Sequence, residues 1–483
     1  MAPFRVIIVG GSVSGLALAN MLEQYDIDFI VLEKHESIAP QLGAGYAMLP
    51  HGARILDQLG CYDALEKLSA PVDTMVGYDE NAERATRVSN IGTFLEESLG
   101  YKMGFLERQQ VVRGLFDNLR NKSKIRNSCG VTRIHLTKEG VQVETNAGVF
   151  EGDIVVGADG VHSLVRREME GLASADGDDS PHDGQKGQHH DPLRNQFSRD
   201  TFVDSATDFE CCYSAIFGTS VAPEGLIENQ AFKGFKSNRS YLCGSVKNGQ
   251  FHWIAMFKND EKTKGAQIPR YTSDDRDRLA SRYANDIIQP GVRLGDIYRD
   301  AIKVTLVPLE QGVLSRCFYK RIVLLGDSWH KINPITGQGG NTAIAGAAYL
   351  TDGLKDLLDR ERKPIDASLE KLFGDYRQNR GPISKILSEN AHFIQRMEAL
   401  ETPFLRFFQL HVMRYLPLKY VRNKLLTAVN TGSLLKRLPP PSRSGTVPVG
   451  VDAEKEPSVL FNYSIVTGIA ASITVALLIY SFA

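Results

Sequence analysis

Phe4-Arg5-Val6-Ile7-Ile8-Val9-Gly10-Gly11-Ser12-Val13-Ser14-Gly15 is the stretch whose reading decides the fold. Its β-branched run up to Val9 is a short buried strand, and the glycines that follow form a turn. Leu16-Ala17-Leu18-Ala19-Asn20-Met21-Leu22 then continues as a helix, and a second apolar strand, Phe29-Ile30-Val31-Leu32, ends at Glu33. Strand, glycine turn, helix, strand and acid in this order describe a dinucleotide site. Gly10 permits the tight turn, Gly15 lets helix and strand approach, and the helix N-terminus faces a pyrophosphate. Glu33, about 20 residues on, is placed to hold the two ribose hydroxyls of an adenosine. Ser12 stands where a middle glycine is usual. An acid at this strand end disfavours a 2′-phosphate, so FAD or NAD fits better than NADP.

Two further segments decide between those cofactors. Asp153-Ile154-Val155-Val156-Gly157-Ala158-Asp159-Gly160-Val161-His162-Ser163 runs a buried strand into an Asp-Gly turn at Asp159, where backbone groups can meet a cofactor, and Arg166 follows. Arg321-Ile322-Val323-Leu324-Leu325-Gly326-Asp327-Ser328-Trp329-His330 delivers Asp327 to a ribityl hydroxyl. Pro334 and Gly337-Gln338-Gly339-Gly340-Asn341 then turn into a helix over Thr342 to Leu350. The start of that helix favours negative charge on the isoalloxazine N1/O2 side of a reduced flavin.

The rest of the 483 residues is ordinary in composition. Lys and Arg total 56 against 57 Asp and Glu, a net charge of −1. Such a balance leaves no cationic surplus for coating nucleic acid. The six cysteines show no C-x-x-C spacing, which argues against a zinc ribbon or a disulfide framework. His182, Asp183, His189, His190 and Asp191 have no spacing that builds a rigid metal site, so no metal is expected. From Pro457 to Ala483 no residue is charged. About 20 apolar residues span a bilayer as a helix, so a C-terminal transmembrane helix over 459–482 is expected. Cations on its N-terminal side favour a cytosolic body with the tail inserted, as a single-pass anchor in the endoplasmic reticulum membrane. Pro403 to Leu426 mixes aromatic and basic residues, as in a helix on a membrane surface or a helix packed on the main body.

The three motifs together resemble the class A flavoprotein monooxygenases, over about residues 4 to 400. Within that group, Val9-Gly10-Gly11-Ser12, Glu107-Arg108-Gln109, Cys212-Tyr213-Ser214-Ala215-Ile216-Phe217-Gly218 and Gly337-Gln338-Gly339-Gly340-Asn341 look like the fungal paxilline-type epoxidases of indole-diterpene and meroterpenoid pathways. The resemblance implies an α/β fold: a Rossmann-like FAD-binding domain, like that of p-hydroxybenzoate hydroxylase, with an inserted β-sheet substrate domain. The expected division is an FAD-binding first part over 1–172, a flexible polar loop over 173–200 and a substrate sheet over 201–310. The second FAD-binding part follows over 311–400, then a helical extension over 401–437 and a linker over 438–458.

The family pattern implies FAD contacts at Gly10, Ser12, Gly15, Glu33, Gly45, Ala47, Arg108, Asp159, Asp327, Gly337, Gly340 and Asn341. Arg108 opens an expected helix, Gln109 to Leu119, where a guanidinium can neutralise a pyrophosphate or hold the ribityl chain. Tyr213 matches a family position proposed as catalytic, beside its plainer reading as a packed strand aromatic. NAD(P)H is the implied electron donor, O2 the co-substrate, and an alkene on an apolar prenylated molecule the oxygen acceptor. Phe251, Trp253, Ala255 and Phe257 alternate along a strand, either roofing an apolar pocket or forming ordinary sheet core. An aromatic hydroxylase of phenolic substrates and a non-catalytic flavin-binding scaffold on a membrane are the competing readings.

Overall fold

A computed structural model describes residues 3–40, 45–177, 209–224, 226–432 and 434–449. The opening strand, Arg5–Val9, lies at the centre of a sheet of six described strands. It pairs in parallel with Ile154–Gly157 on one side and Asp28–Leu32 on the other. Ile322–Leu324 extends the sheet in parallel beyond Ile154–Gly157. The three glycine motifs, up to 320 residues apart in the chain, therefore end at one edge of one sheet. Strands buried on both faces need continuous apolar runs, and Val6, Ile7, Ile8, Ile154, Val155, Ile322 and Val323 are all fully buried. Helix Val13–Gln24 packs on this sheet and against the long helix Gly339–Arg360.

The second layer is a sheet of eight described strands. Glu210–Val221, Gln250–Lys264 and Ala301–Val313 form its antiparallel centre. Arg239–Cys243 and Gln230–Lys236 continue it. Thr74–Tyr78 then pairs in parallel with Gln230–Lys236, and Arg84–Val88 closes that edge. Two strands of the substrate sheet thus come from the first 100 residues. Its two faces differ. Phe251, Trp253, Ala255 and Phe257 point to one side, where they pack with Ile216, Phe232, Tyr241, Leu294 and Ile297. The alternating aromatics are the core between the sheet and helices Ser273–Arg282 and Leu294–Arg299. The other face carries Tyr213, Ala215, Met256 and Leu309, packed with Ile332, Ile335, Leu387 and Ala391. Leu387 and Ala391 belong to helix Asp366–Glu398, which covers that face.

The expected transmembrane helix requires correction. Among the described residues no helix is long and apolar enough to cross a membrane. The two longest, Gly339–Arg360 and Asp366–Glu398, mix buried apolar residues with charged ones, and they pack against each other and the body. The segment 459–482 lies outside the described residues, as do 178–200 with the histidines of the polar loop. The described residues form an α/β body with no membrane span among them, and the single-pass anchor is withdrawn. The aromatic and basic stretch from Pro403 forms short helices held to the body through Leu405 and Phe408 against Met397. Beyond it, residues 434–449 run back along the body. The Ser442 amide donates to Asp57, and Arg443 is paired with both Glu66 and Asp63.

Candidate active site

The turn after the first strand shows why its glycines are needed. Gly10 has φ +106°, and a Cβ there would stand 2.4 Å from the Ala158 carbonyl oxygen on the neighbouring strand. A Cβ at Gly15 would stand 1.9 Å from the Gly10 carbonyl oxygen. No larger residue fits either place without moving backbone. Glu33, at the end of the second strand, accepts hydrogen bonds from the Gly11 amide at 2.7 Å and the His35 amide at 2.9 Å. That carboxylate is thereby fixed across the mouth of the turn.

Ser12 is the residue before the first helix, yet its hydroxyl does not cap that helix. It accepts a hydrogen bond from Arg108 at 2.5 Å instead. Arg108 is exposed and opens helix Arg108–Asn118. The departure from glycine at Ser12 therefore has a partner, a guanidinium held at the mouth of the turn with most of its donors free.

Asp327 lies in the short turn Gly326–Ser328, directly after strand Ile322–Leu324. Its nearest oxygen is 4.0 Å from where a Cβ at Gly339 would stand, so it faces the start of the long helix. Lys331 is ion-paired with it. Burial opposes the charge on Asp327, but Lys331 outweighs it, with help from His330 and Arg108, and holds the carboxyl below its ordinary range. Asp327 is thus an anion, and the Lys331 partner escaped the sequence reading because the two are not on a helix.

The Asp159 side chain is engaged within its own turn. One oxygen accepts from the Leu164 and Val165 amides, and the other from the Ser163 hydroxyl at 2.5 Å. It caps helix Leu164–Ala175. Arg166, on that helix, donates to the Ser328 carbonyl at 2.9 Å and ties this turn to that of Asp327.

Asn341 is fully buried and makes four hydrogen bonds. It accepts from the Tyr46 hydroxyl and the Leu49 amide, each at 3.1 Å. It donates to the carbonyls of Ala47 at 2.8 Å and Gly337 at 2.9 Å. Strand Gly45–Met48 is thereby bound to the glycine turn, close enough that Cβ atoms at Gly337 and Gly340 would meet Ala47 and Tyr46 at 2.6 and 2.5 Å. Gly45 reaches the second sheet, since its Cβ would stand 3.4 Å from that of His252. There His252 Nδ1 shares a 2.9 Å hydrogen bond with the Thr219 hydroxyl, and burial lowers the imidazole pKa. Phe217, Ile254 and Val307, each partly exposed, lie on the same sheet face, packed against the cluster of Ile332 and Ile335.

Tyr213 sits at the far end of that face, 2% exposed. Its hydroxyl donates to Glu401 at 3.2 Å, and Glu401 is itself paired with Arg396 and Lys258. Burial and the Glu401 charge both push the phenol far above its ordinary pKa. The structure therefore holds Tyr213 as a neutral donor already engaged.

A family model described as an FAD binding domain matches residues 4–180 and 225–390. The chain is 36% identical over 468 residues to the FAD-dependent monooxygenase asqG of Emericella nidulans, covering 95% of this chain and 78% of that protein. It is 35% identical over 462 residues to the FAD-dependent monooxygenase atnA of Arthrinium sp., covering 94% of this chain and 58% of that longer relative. The chain belongs to the FAD-dependent monooxygenases. It is of the class A, fungal secondary-metabolite type that its motifs resemble. The fold of Klebsiella pneumoniae HpxO, complexed with FAD and uric acid, is shared at a TM-score of 0.69 and 20% identity, over 89% of this chain and 97% of that one.

An FAD monooxygenase must hold a pyrophosphate, a ribityl chain and a ring system, and the residues present fit that demand. The mouth of the first turn holds an exposed guanidinium, Arg108, anchored on Ser12, and a strand-end carboxylate, Glu33. The ionised Asp327 is partly exposed opposite the long helix start. Beyond FAD, the reaction class requires O2 and a small-molecule substrate.

Proposed function

We propose that this FAD monooxygenase takes electrons from NAD(P)H and epoxidises an alkene in the prenyl or terpenoid side chain of a meroterpenoid. The observation that carries this reading is the partly exposed apolar face of Phe217, Ile254 and Val307, beside the cluster of Ile332 and Ile335 that leads into the glycine turn. An alkene needs orientation and the exclusion of water rather than a charged partner.

Bound FAD, once reduced, activates O2 and supplies the oxidising chemistry. The chain's own residues do the holding. Glu33 takes the adenosine ribose hydroxyls, and Ser12 and Arg108, with Gly10 and Gly15 shaping the turn, take the pyrophosphate. Asp327 takes a ribityl hydroxyl. Gly45, Ala47, Gly337 and Gly340, packed together and locked by Asn341, would border the ring as one wall. The start of helix Gly339–Arg360 would favour negative charge on a flavin ring held there. Asp159 and Tyr213 position these elements through their neighbours.

A second reading, hydroxylation of a phenol, is favoured by one observation. His252, with its Nδ1 held by Thr219, lies beside Gly45, where a neutral imidazole can accept a phenolic proton. Feeding prenylated aromatics and simple phenolic acids to the purified enzyme with NADH or NADPH separates the two. Epoxidation gives a prenylated product heavier by one oxygen atom that opens to a diol in acid. NAD(P)H oxidation stimulated only by phenolic acids, with a ring-hydroxylated product, would overturn it.

A further inference from the structure

The inner face of the second sheet has a polar end that the FAD contacts leave unused, and strand register places it. Thr219 stands directly opposite His252 on one neighbouring strand and Lys303 on the other. Two residues along, Phe217 stands opposite Ile254 and Thr305, and two further on Ala215 stands opposite Met256 and Val307. Side chains directly opposed on one face lie about 5 Å apart at Cβ. Lys303, Thr219 and His252 therefore form one row across three strands, and the 2.9 Å hydrogen bond between Thr219 and His252 closes half of it. The face opens toward this row. Ala215 and Met256 are fully buried, whereas Phe217, Ile254, Thr219, His252 and Lys303 are all partly exposed. From the row to Ala215 is four residues of strand, about 13 Å. Gly45 adjoins His252, so the row lies where the sheet meets strand Gly45–Met48.

The charge at this open end is one-sided. Lys303 has no hydrogen-bond or ion-pair partner among the described residues. No inward-facing residue of the three strands over these rows is an acid. The acid that does approach is Glu107, opposite Gly45 on its neighbouring strand. Its carboxylate accepts from the Gln110 amide and forms no ion pair with Lys303. Burial lowers the His252 pKa, while Glu107 raises it and Lys303 lowers it, so the imidazole is neutral beside the Lys303 cation.

We propose that Lys303, with Thr219 and His252, is the head-group subsite of the substrate site and takes an anionic oxygen of the carboxylate class. The prenyl tail then runs from this row along Phe217 and Ile254 toward the closed end of the face. This subsite presupposes that the face is the substrate's, as in the epoxidase reading, and it makes the substrate a prenylated acid rather than a neutral molecule. An anion at Lys303 selects the tautomer in which the Thr219 hydroxyl donates to Nδ1 of His252, which leaves Nε2–H as a second donor.

The test titrates the FAD-loaded enzyme with a geranylated p-hydroxybenzoate and with its carboxamide, which has nearly the same shape and no charge. Binding is read from the shift of the bound flavin's absorption, and product from mass spectrometry. The wild type is expected to bind the acid about tenfold more tightly than the amide, the worth of one charge-assisted hydrogen bond. Lys303→Met strands no partner, so its flavin content is expected to be unchanged. It is expected to bind the acid about tenfold more weakly and the amide within about twofold of wild type. Lys303→Arg is expected to keep the preference for the acid. Equal affinity for acid and amide in the wild type, equal loss of both in Lys303→Met, or no binding of either would overturn the subsite. Acid-selective binding that depends on Lys303 but yields no epoxide would keep the subsite and overturn the epoxidase reading instead. Epoxide from both probes with no preference for the acid would do the reverse.

Discussion

Asn341 shows what one side chain can do when all four of its hydrogen-bonding positions are used. The sequence places it at the end of the glycine turn, where the resemblance makes it a cofactor contact. In the structure its amide clamps Tyr46, Ala47, Leu49 and Gly337 together. Tyr46, Ala47 and Leu49 are almost 300 residues away in the chain, so no local pattern could reveal the clamp. The role of Gly15, by contrast, was legible, because its clash is with the Gly10 carbonyl five residues before it, and so was the positive φ of Gly10; the approach of the Ala158 carbonyl to Gly10 was not. Ser12 was half legible: its departure from glycine was visible, its Arg108 partner was not. Leaving the Leu49 amide and the Ala47 carbonyl buried without partners costs about 1–3 kcal/mol each. Asn341→Ala is therefore expected to lower stability by about 2–4 kcal/mol, and to loosen FAD through the displaced Gly45–Met48 strand. Denaturant unfolding of the variant and flavin fluorescence on dilution check both; unchanged values would mean the clamp carries no load.

Among the elements, the segment 434–449 departs most from its sequence expectation. Three consecutive prolines and a Ser-Arg-Ser-Gly run read as a linker, since composition reports the absence of helix or strand and not the absence of contacts. The segment is held by point contacts. Arg443 is paired with both Glu66 oxygens at 2.7 Å and lies over the Tyr62 ring. The Thr446 and Val447 amides donate to the carbonyls of Glu97 and Ser98. Arg443, chiefly by its hydrogen bonds, lowers the Glu66 pKa against a smaller effect of burial. A carboxyl depressed in the folded state stabilises above its ordinary value, and that contribution disappears as pH falls through the depressed one. Protection of the Thr446 and Val447 amides from hydrogen exchange is thus expected to decline below about pH 4. In Arg443→Ala it should already be weak at neutral pH and show no such step. The pair is about one-third exposed, so global stability should change little. Equal protection in variant and wild type would place the docking elsewhere.

At the scale of the whole molecule, the two sheets cannot be divided by cutting the chain. Sequence reading finds a substrate sheet over 201–310, and the alternation of Phe251, Trp253, Ala255 and Phe257 marks one of its strands. It cannot see that Thr74–Tyr78 pairs in parallel with Gln230–Lys236, since strand pairing at that separation leaves no local trace. Nor does it show which face the alternating aromatics take. They build the outer core with helices Ser273–Arg282 and Leu294–Arg299, and the face toward the flavin body is left to Phe217, Ile254 and Val307. That inner face is covered by Leu387 and Ala391 of helix Asp366–Glu398, on the far side of the third glycine motif. A piece spanning 209–313 keeps its outer core but exposes both an apolar face and the unpaired edge of Gln230–Lys236, the two conditions for edge-to-edge association. Expressed alone it is expected to aggregate or to melt without a cooperative transition, whereas the entire chain loses both sheets together. Circular dichroism melting of the two proteins makes the comparison. A soluble 209–313 fragment with a sharp transition would show that the substrate sheet folds by itself, and that the strands from the first 100 residues are only an added edge.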